Sequence, residues 1–274
     1  MSSEIPLRGE RHPVAYMNER FLNSVDARAL RILAEFLEPL SHFRREKIRD
    51  TVVFFGSARL RENGPMGRYY NDARTLARLL TEWSDNLSNS ARRFVVCFGG
   101  GPGVMEAANR GAADANGKNI GLNIGLPFEQ LPNPYITPEL CFEFHYFFMR
   151  KFWFSYLARA LVVFPGGFGT LDELMEMLTL VQTQKLERKI LILLYGKEFW
   201  QSVVNFQALA KFGMIAEKDL SLFTWADTPA EAFVQVRDYC MTYHHPGDTA
   251  GRETPAIAPS RDPNQTSAAG LPNK

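Results

Sequence analysis

Two glycine-rich segments of this sequence have the composition of phosphate-binding turns. They are GGGPG at residues 99–103 and PGGFGT at residues 165–170, and each follows a short apolar run. Glycine lets backbone N–H groups approach an anion closely, and a helix that starts after the turn adds the positive end of its dipole. Each segment can therefore bind one phosphate group, with Thr170 as a candidate helix cap and hydroxyl donor.

Neither turn fits the better-known nucleotide fingerprints. The dinucleotide pattern GxGxxG needs glycine or alanine where the first turn is followed by Val104 and the second by Asp172. A P-loop needs Gly-Lys-Ser or Gly-Lys-Thr after the turn, and neither segment has it. An ordinary dinucleotide site is thus disfavoured, and triphosphate hydrolysis has no evident lysine or magnesium site.

Charged residues lie in an aromatic segment between the two turns. This segment is FHYFFMRKFWF, residues 144–154, and it contains Arg150 and Lys151. A cation within an apolar helix needs a partner, whereas Lys151 can equally extend to solvent or to surface acids. Arg150 is the stronger functional candidate, and His145 is more typical of a half-buried structural histidine than of a base.

Strands and helices alternate along most of the chain. Apolar runs predict strands at residues 51–58, 94–98, 119–126, 140–144, 161–164 and 190–194, and amphipathic patterns predict helices at 68–83, 104–115, 148–159, 171–184, 198–212 and 229–243. This order indicates an α/β fold, a Rossmann-like doubly wound parallel sheet with helices on both faces. Both glycine turns then lie at the carboxyl ends of strands, where such sheets bind ligands.

Three parts of the chain differ in composition. Apolar residues at helical spacing over residues 19–40 predict an amphipathic helix, so residues 1–50 form an N-terminal helical extension. We expect residues 51–245 to form one Rossmann-like nucleotide-binding domain that also carries any catalytic residues. Residues 246–274 hold five of the sixteen prolines and no aromatic residue, which predicts a disordered tail.

Composition and charge restrict the partners. The 31 Lys and Arg balance 30 Asp and Glu, so there is no overall field to attract nucleic acid. No apolar stretch approaches the ~18 residues that span a bilayer, and no signal sequence is recognisable, so we expect a cytoplasmic protein. Three widely spaced cysteines, Cys97, Cys141 and Cys240, lack CxxC pairing, which argues against a disulfide framework and structural zinc. We expect Cys97 and Cys141 to be buried and inert.

Several motifs together resemble those of the LOG ("Lonely Guy") family. PGGFGTLDE at residues 165–173 resembles the family signature PGGxGTxxE. FFGSAR from residue 54, GGGPGVMEAANRGA from residue 99, LPFEQ from residue 126 and HYFFMRK from residue 145 resemble blocks of its longer bacterial branch. The resemblance covers residues 51–236.

This resemblance implies a phosphoribohydrolase that releases the base and ribose 5-phosphate from a nucleoside 5′-monophosphate, either a cytokinin riboside monophosphate or AMP. It implies catalysis by Arg150 and Glu173, with no metal and no cofactor. We expect substrate contacts at Ser57, Gly100, Gly101, Glu129, Lys151, Gly166, Gly167, Phe168, Gly169, Thr170, Asp172 and Thr179. Family members self-associate, so we also expect a homodimer or higher homo-oligomer in which residues 142–156 supply apolar interface.

The chemistry of the residues is compatible with this reading. Breaking a C1′–N bond develops positive charge on the sugar, which a nearby carboxylate stabilises, or the carboxylate activates water. We expect Glu173 in the first turn of the helix that binds the phosphate, close to the ribose. Asp172 lies about 100° round the same helix and cannot point the same way. Arg150 can bind a substrate oxygen or the departing base.

Two other readings stay open. One is a non-catalytic nucleotide or molybdenum-cofactor carrier, and the other is an interaction protein whose nucleotide site acts as a sensor. Arg150 together with Glu173 favours hydrolysis, and no pyridoxal lysine site supports a decarboxylase. The preferred base and the physiological role are not determined by any of these patterns.

Overall fold

A sheet of parallel strands forms the centre of the fold. The computed structural model describes residues 12–244 apart from 88–90, 127–130 and 187, so the predicted tail at 246–274 lies outside it. In chain order the strands are β1 (Thr51–Phe55), β2 (Val95–Phe98), β3 (Asn119–Ile124), β4 (Cys141–Phe144), β5 (Ala158–Val163), β6 (Leu191–Tyr195) and β7 (Thr224–Ala226). Their order across the sheet is β4-β3-β2-β1-β5-β6-β7, and every pair is parallel. The predicted doubly wound sheet is confirmed.

Helices cover both faces of this sheet. They are α1 (Glu19–Leu22), α2 (Arg28–Arg45), α3 (Gly67–Asp85), α4 (Val104–Asp114), α5 (Phe147–Tyr156), α6 (Phe168–Gln182), α7 (Lys197–Val203), α8 (Phe206–Lys211) and α9 (Pro229–Tyr243). The core on one face contains residues of α2, α5, α6, α7 and α8, and the core on the other contains residues of α3, α4 and α9. No helix in the described part of the chain is long and apolar enough to cross a membrane.

The boundaries differ from the sequence prediction at several elements. The helix predicted over residues 19–40 is interrupted after Leu22, where the Ser24 hydroxyl donates to the Phe21 carbonyl, and it resumes at Arg28. The helix predicted to continue to residue 159 ends at Tyr156. The helix predicted over 198–212 is two helices, because the Asn205 side chain caps α8 by accepting a hydrogen bond from the Ala208 N–H at 2.9 Å. Strand β7 was not predicted, since its three residues form no apolar run.

The topology brings both glycine turns to the end of the central strand. The strand order reverses between β1 and β5, and a doubly wound sheet opens a ligand-binding crevice at such a point. The Ser57 N–H, just beyond β1, donates to the Pro165 carbonyl at 3.0 Å, and the Ser57 carbonyl accepts from the Val104 N–H at 3.1 Å. Gly103 has a φ of +73°, and a side chain there would overlap the Ser57 carbonyl. The backbone therefore fixes the three loops relative to one another.

Replacing Gly103 by Ala is expected to lower the melting temperature, because the left-handed backbone and the Ser57 carbonyl both oppose a methyl group. Such strain costs on the order of 1–3 kcal/mol, and each kcal/mol corresponds to roughly 2–4 °C in a chain of this size. The control is Gly169→Ala, whose methyl group would meet no atom within 4 Å. Thermal unfolding followed by circular dichroism measures both, and equal losses would contradict the role given to Gly103.

Candidate active site

A cavity of about 760 Å³ opens at the carboxyl edge of the sheet. This main cavity lies between the loop after β1, the first glycine turn, α5 and the N-terminus of α6. Its volume falls in the range of ~300–1,000 Å³ that is common for small-molecule sites. The sequence-predicted residues that line it are Ser57, Gly101, Arg150, Gly166, Gly167, Phe168, Gly169, Thr170, Asp172 and Glu173.

The N-terminus of α6 faces this cavity without a side-chain cap. The helix begins at Phe168 with Gly167 as its N-cap, so the prediction that Thr170 caps it is wrong. A Cβ atom at Gly167 or Gly169 would meet no atom within 4 Å, which shows that open space lies in front of both glycines. Backbone N–H groups of a first helical turn have no partner within the helix. The second glycine turn is therefore an open, positively polarised anion cradle.

Arg150 lies on α5 and reaches the cavity through a narrow space. Its Nε donates to the Leu122 carbonyl at 2.8 Å, and its guanidinium lies 5.2 Å from the centre of the Phe154 ring. A side chain at Gly99 would overlap the guanidinium, so the first glycine turn makes room for it. Burial lowers the pKa of Arg150, and the nearby charge of Glu173 opposes that shift. The guanidinium is thus fixed by the fold and remains available to a ligand.

Glu173 lies on α6 and lines the same cavity. It is the sixth residue of the helix, in the second turn and not in the first turn as predicted. Burial raises the pKa of Glu173 to about 7, although Lys151 and Arg150 both act to lower it. The carboxyl group therefore changes charge near neutral pH, as is common for acid–base groups in active sites.

Lys151 joins two helices beside the cavity and does not line it. Its Nζ lies 2.7 Å from a carboxylate oxygen of Asp172 and 2.8 Å from one of Glu176. Burial lowers the pKa of Lys151, but the hydrogen bonds to these two carboxylates outweigh burial, and the net shift is upward. Lys151 therefore pairs with surface acids, which is one of the alternatives that the sequence left open. These ion pairs link α5 to α6.

Three further predicted contacts lie elsewhere. Gly100 has a φ of +72° and turns toward Asn123 instead of lining the cavity. Thr179 is exposed on α6, away from the cavity, and its hydroxyl donates to the Met175 carbonyl at 2.8 Å. Glu129 lies outside the described residues. Within the described ranges, no group of three or more His, Cys, Asp or Glu side chains is arranged to hold a metal ion.

Sequence reasoning missed Asn123, a buried polar residue in the cavity wall. Its Nδ2 donates to the Phe142 carbonyl at 3.1 Å and lies 3.5 Å from the Cys141 sulfur, which is partly exposed and not buried as expected. Asn119 and Asn123 are four residues apart and therefore share one face of β3. The sequence signal that could have identified Asn123 is this pair of amide side chains on one face of a buried strand. Other lining side chains that were not predicted include Phe55, Arg59, Met105, Phe147, Phe154, Phe199 and Val203.

The N-terminal extension holds the start of α5, the helix that carries Arg150. The Glu35 carboxylate on α2 accepts hydrogen bonds from the backbone N–H groups of His145 at 2.7 Å and Tyr146 at 3.3 Å. The Glu35 carbonyl accepts from the Trp153 indole N–H at 2.9 Å. His145 is exposed, so the expectation of a half-buried histidine is wrong. Glu35 thus stabilises the start of α5, although the two are far apart in the sequence.

Replacing Glu173 by Gln is expected to raise the melting temperature at pH 8 more than at pH 5. The pKa of about 7 in the folded state exceeds the ordinary value of 4.5, so the folded state binds the proton more tightly. The ionised carboxylate therefore costs stability, and this cost grows as pH rises from 4.5 to about 7. Glutamine carries no charge and avoids this cost, so the melting temperature should rise by a few degrees, at roughly 2–4 °C per kcal/mol. A difference from wild type that is the same at both pH values would contradict the burial of this group.

Known proteins resemble the chain in sequence and in fold. A family profile described as "Possible lysine decarboxylase" matches residues 105–236. The rice protein "Cytokinin riboside 5′-monophosphate phosphoribohydrolase LOG" (Oryza sativa subsp. japonica) is 28% identical over 205 residues, which are 73% of this chain and 77% of the relative. A molybdenum cofactor binding protein from Rippkaea orientalis superposes with a TM-score of 0.50 over 69% of this chain and 97% of its own, at 17% identity, and so shares the fold. The motifs, the site and the sequence matches all resemble those of the LOG family.

Proposed function

We propose that this protein is a phosphoribohydrolase that cleaves the N-glycosidic bond of nucleoside 5′-monophosphates. The substrates are cytokinin riboside 5′-monophosphate, AMP or both, and the products are the free base and ribose 5-phosphate. The observation that carries the proposal is the meeting of Arg150, Glu173 and the uncapped N-terminus of α6 in one cavity. The activity named for the rice relative supports the same assignment.

The 5′-phosphate binds at the N-terminus of α6. The N–H groups of the first turn and the helix dipole favour a doubly charged anion there, and Gly167 and Gly169 leave space for its oxygens. Helix side chains lean toward the N-terminus of their helix, so Glu173 extends from the second turn back toward this phosphate. A ribose attached to the phosphate then lies beside the Glu173 carboxylate.

Cleavage breaks the C1′–N bond, whose electron pair leaves with the base. Positive charge develops on the ribose, and the ionised Glu173 stabilises it and accepts a proton from the attacking water. The water oxygen forms the new bond to C1′, and the base takes up a proton on departure. Arg150 binds a substrate oxygen or the departing base, because its guanidinium is directed into the cavity and its charge is only partly compensated.

The test compares base release from AMP and from isopentenyladenosine monophosphate, without added metal, by wild type and by Glu173→Gln. Wild type should release base, and the variant should lose roughly 10²-fold or more in turnover, as expected for a positioned acid–base group. For wild type, kcat/KM should rise with pH through about 7, where Glu173 ionises. The matched control is Glu176→Gln on the same helix, which should retain most of the activity because Glu176 does not line the cavity.

Different failures have different meanings. Full activity of Glu173→Gln would contradict the catalytic role of this residue. If wild type binds both nucleotides and releases no base, the protein is a carrier or a sensor. The ratio of kcat/KM for the two nucleotides distinguishes cytokinin activation from general AMP breakdown.

We also propose that the protein is a homodimer and acts in the cytoplasm. Phe147 and Phe148 on α5 are 54% and 51% exposed, and Leu33 and Leu37 on α2 are 50% and 49% exposed, which provides apolar surface for self-association. The three cysteines are free, as suits a reducing compartment. Sedimentation velocity should give twice the mass of one chain, and a monomer at micromolar concentration would contradict the dimer.

A further inference from the structure

A second chamber adjoins the main cavity at Gly166. This annex has a volume of about 380 Å³ and is formed by the loop that follows β1, by Pro165 and by Phe199. It shares Ser57, Arg59, Gly166 and Phe199 with the main cavity. The two spaces therefore lie side by side, and they adjoin at the glycine turn that precedes α6.

The positive charge in the annex has no compensating acid among the described residues. Arg59 and Arg61 both line it, and no carboxylate does so among the residues that the structure describes. Neither guanidinium hydrogen-bonds or ion-pairs with another described residue. The nearest acid in sequence, Glu62, is engaged elsewhere, by Arg110 at 3.1 Å and Arg74 at 3.8 Å. Apolar side chains such as Leu60 and Met66 line the annex beside the two arginines.

The position of the annex identifies its ligand. Gly166 lines both spaces and Glu173 lines the main cavity alone, so a phosphate at the N-terminus of α6 lies next to the annex while its ribose lies in the main cavity. A group attached to that phosphorus opposite the ribose extends past Gly166 toward the two arginines. We propose that the annex binds a second phosphoryl group joined to the first, so that the site takes nucleoside 5′-diphosphates. This inference rests on the position proposed above for the 5′-phosphate.

The two arginines differ in a way that allows a selective test. Arg59 lines both spaces, whereas Arg61 lines the annex alone. The loop around Arg61 is held by backbone hydrogen bonds, from Gly64 N–H to the Arg61 carbonyl at 3.0 Å and from Gly67 N–H to the Gly64 carbonyl at 2.8 Å. Truncating the exposed Arg61 side chain leaves these bonds in place. Replacing Arg61 therefore tests diphosphate recognition without breaking the backbone hydrogen bonds of this loop.

The experiment measures the affinities of AMP and ADP by isothermal titration calorimetry. The parent protein is Glu173→Gln, which keeps the nucleotides intact, and ionic strength is fixed without divalent cations because salt screens such contacts. Arg61→Ala in this parent should lower the ADP affinity about tenfold relative to the AMP affinity, as loss of one charge-assisted hydrogen bond predicts. Arg61→Lys, which keeps a charge, should recover part of the loss. The control Arg78→Ala, whose side chain pairs with Glu82 on the surface of α3, should change neither affinity.

The outcomes separate this inference from the proposed function. Equal losses for AMP and ADP, no loss for either, or no binding of ADP to the parent would each overturn the annex as a diphosphate site. Base release from AMP by wild type is measured independently. If wild type releases no base but Arg61→Ala lowers the ADP affinity more than the AMP affinity, the hydrolase assignment is wrong and the diphosphate site in the annex is supported. If wild type releases base and Arg61→Ala does not change the ADP affinity relative to the AMP affinity, only the proposed diphosphate site is wrong.

Discussion

The site depends on two backbone hydrogen bonds made by Ser57. One binds the loop before α6 through Pro165, and the other binds the first residue of α4, Val104. Since β2 and β5 are the two neighbours of β1, these bonds lock both glycine turns to the central strand. The cradle and the space for Arg150 are thus set by the main chain of buried elements, which holds a site more firmly than mobile loops do.

Arg150 and Glu173 are partly desolvated charges that the fold keeps apart. Arg150 forms no ion pair with a carboxylate in the described part of the chain, and its Nε is bound by a backbone carbonyl instead. Glu173 lies close enough to influence the pKa of Arg150 but does not neutralise it by direct contact. Burying charges without full pairing costs stability. Such a cost is typical of sites where a ligand supplies the missing interactions.

The sheet and the glycine turns could be predicted from sequence because their signals are local. A strand buried on both faces is an unbroken apolar run, as in β1 and β6, and a glycine follows the strand where the backbone must turn closely. The start of α6 was placed too late, because Phe168 and Gly169 belong to the helix even though they lie within the glycine motif. Local pattern therefore predicted which elements exist better than where they begin.

Contacts between distant segments could not be predicted in the same way. The Glu35 carboxylate and the His145 N–H are 110 residues apart, and no spacing rule relates them. The partners of Lys151 depend on how α5 packs against α6, and Asn123 enters the cavity only because β3 lies beside β2. The annex likewise forms from segments that the chain brings together only after folding.

The hydrogen bonds of Glu35 make α2 part of the mechanical support of the site. Because α5 starts at this carboxylate and carries Arg150, a shift of α2 changes the energy of the arginine that faces the ligand. Linkage is reciprocal, so any effect of α2 on the binding of a ligand at Arg150 is matched by an equal effect of that ligand on the packing of α2. The N-terminal extension and the main cavity are thus joined through α5, and shortening the chain to its α/β sheet would remove the hydrogen bonds that Glu35 makes to this helix and its start.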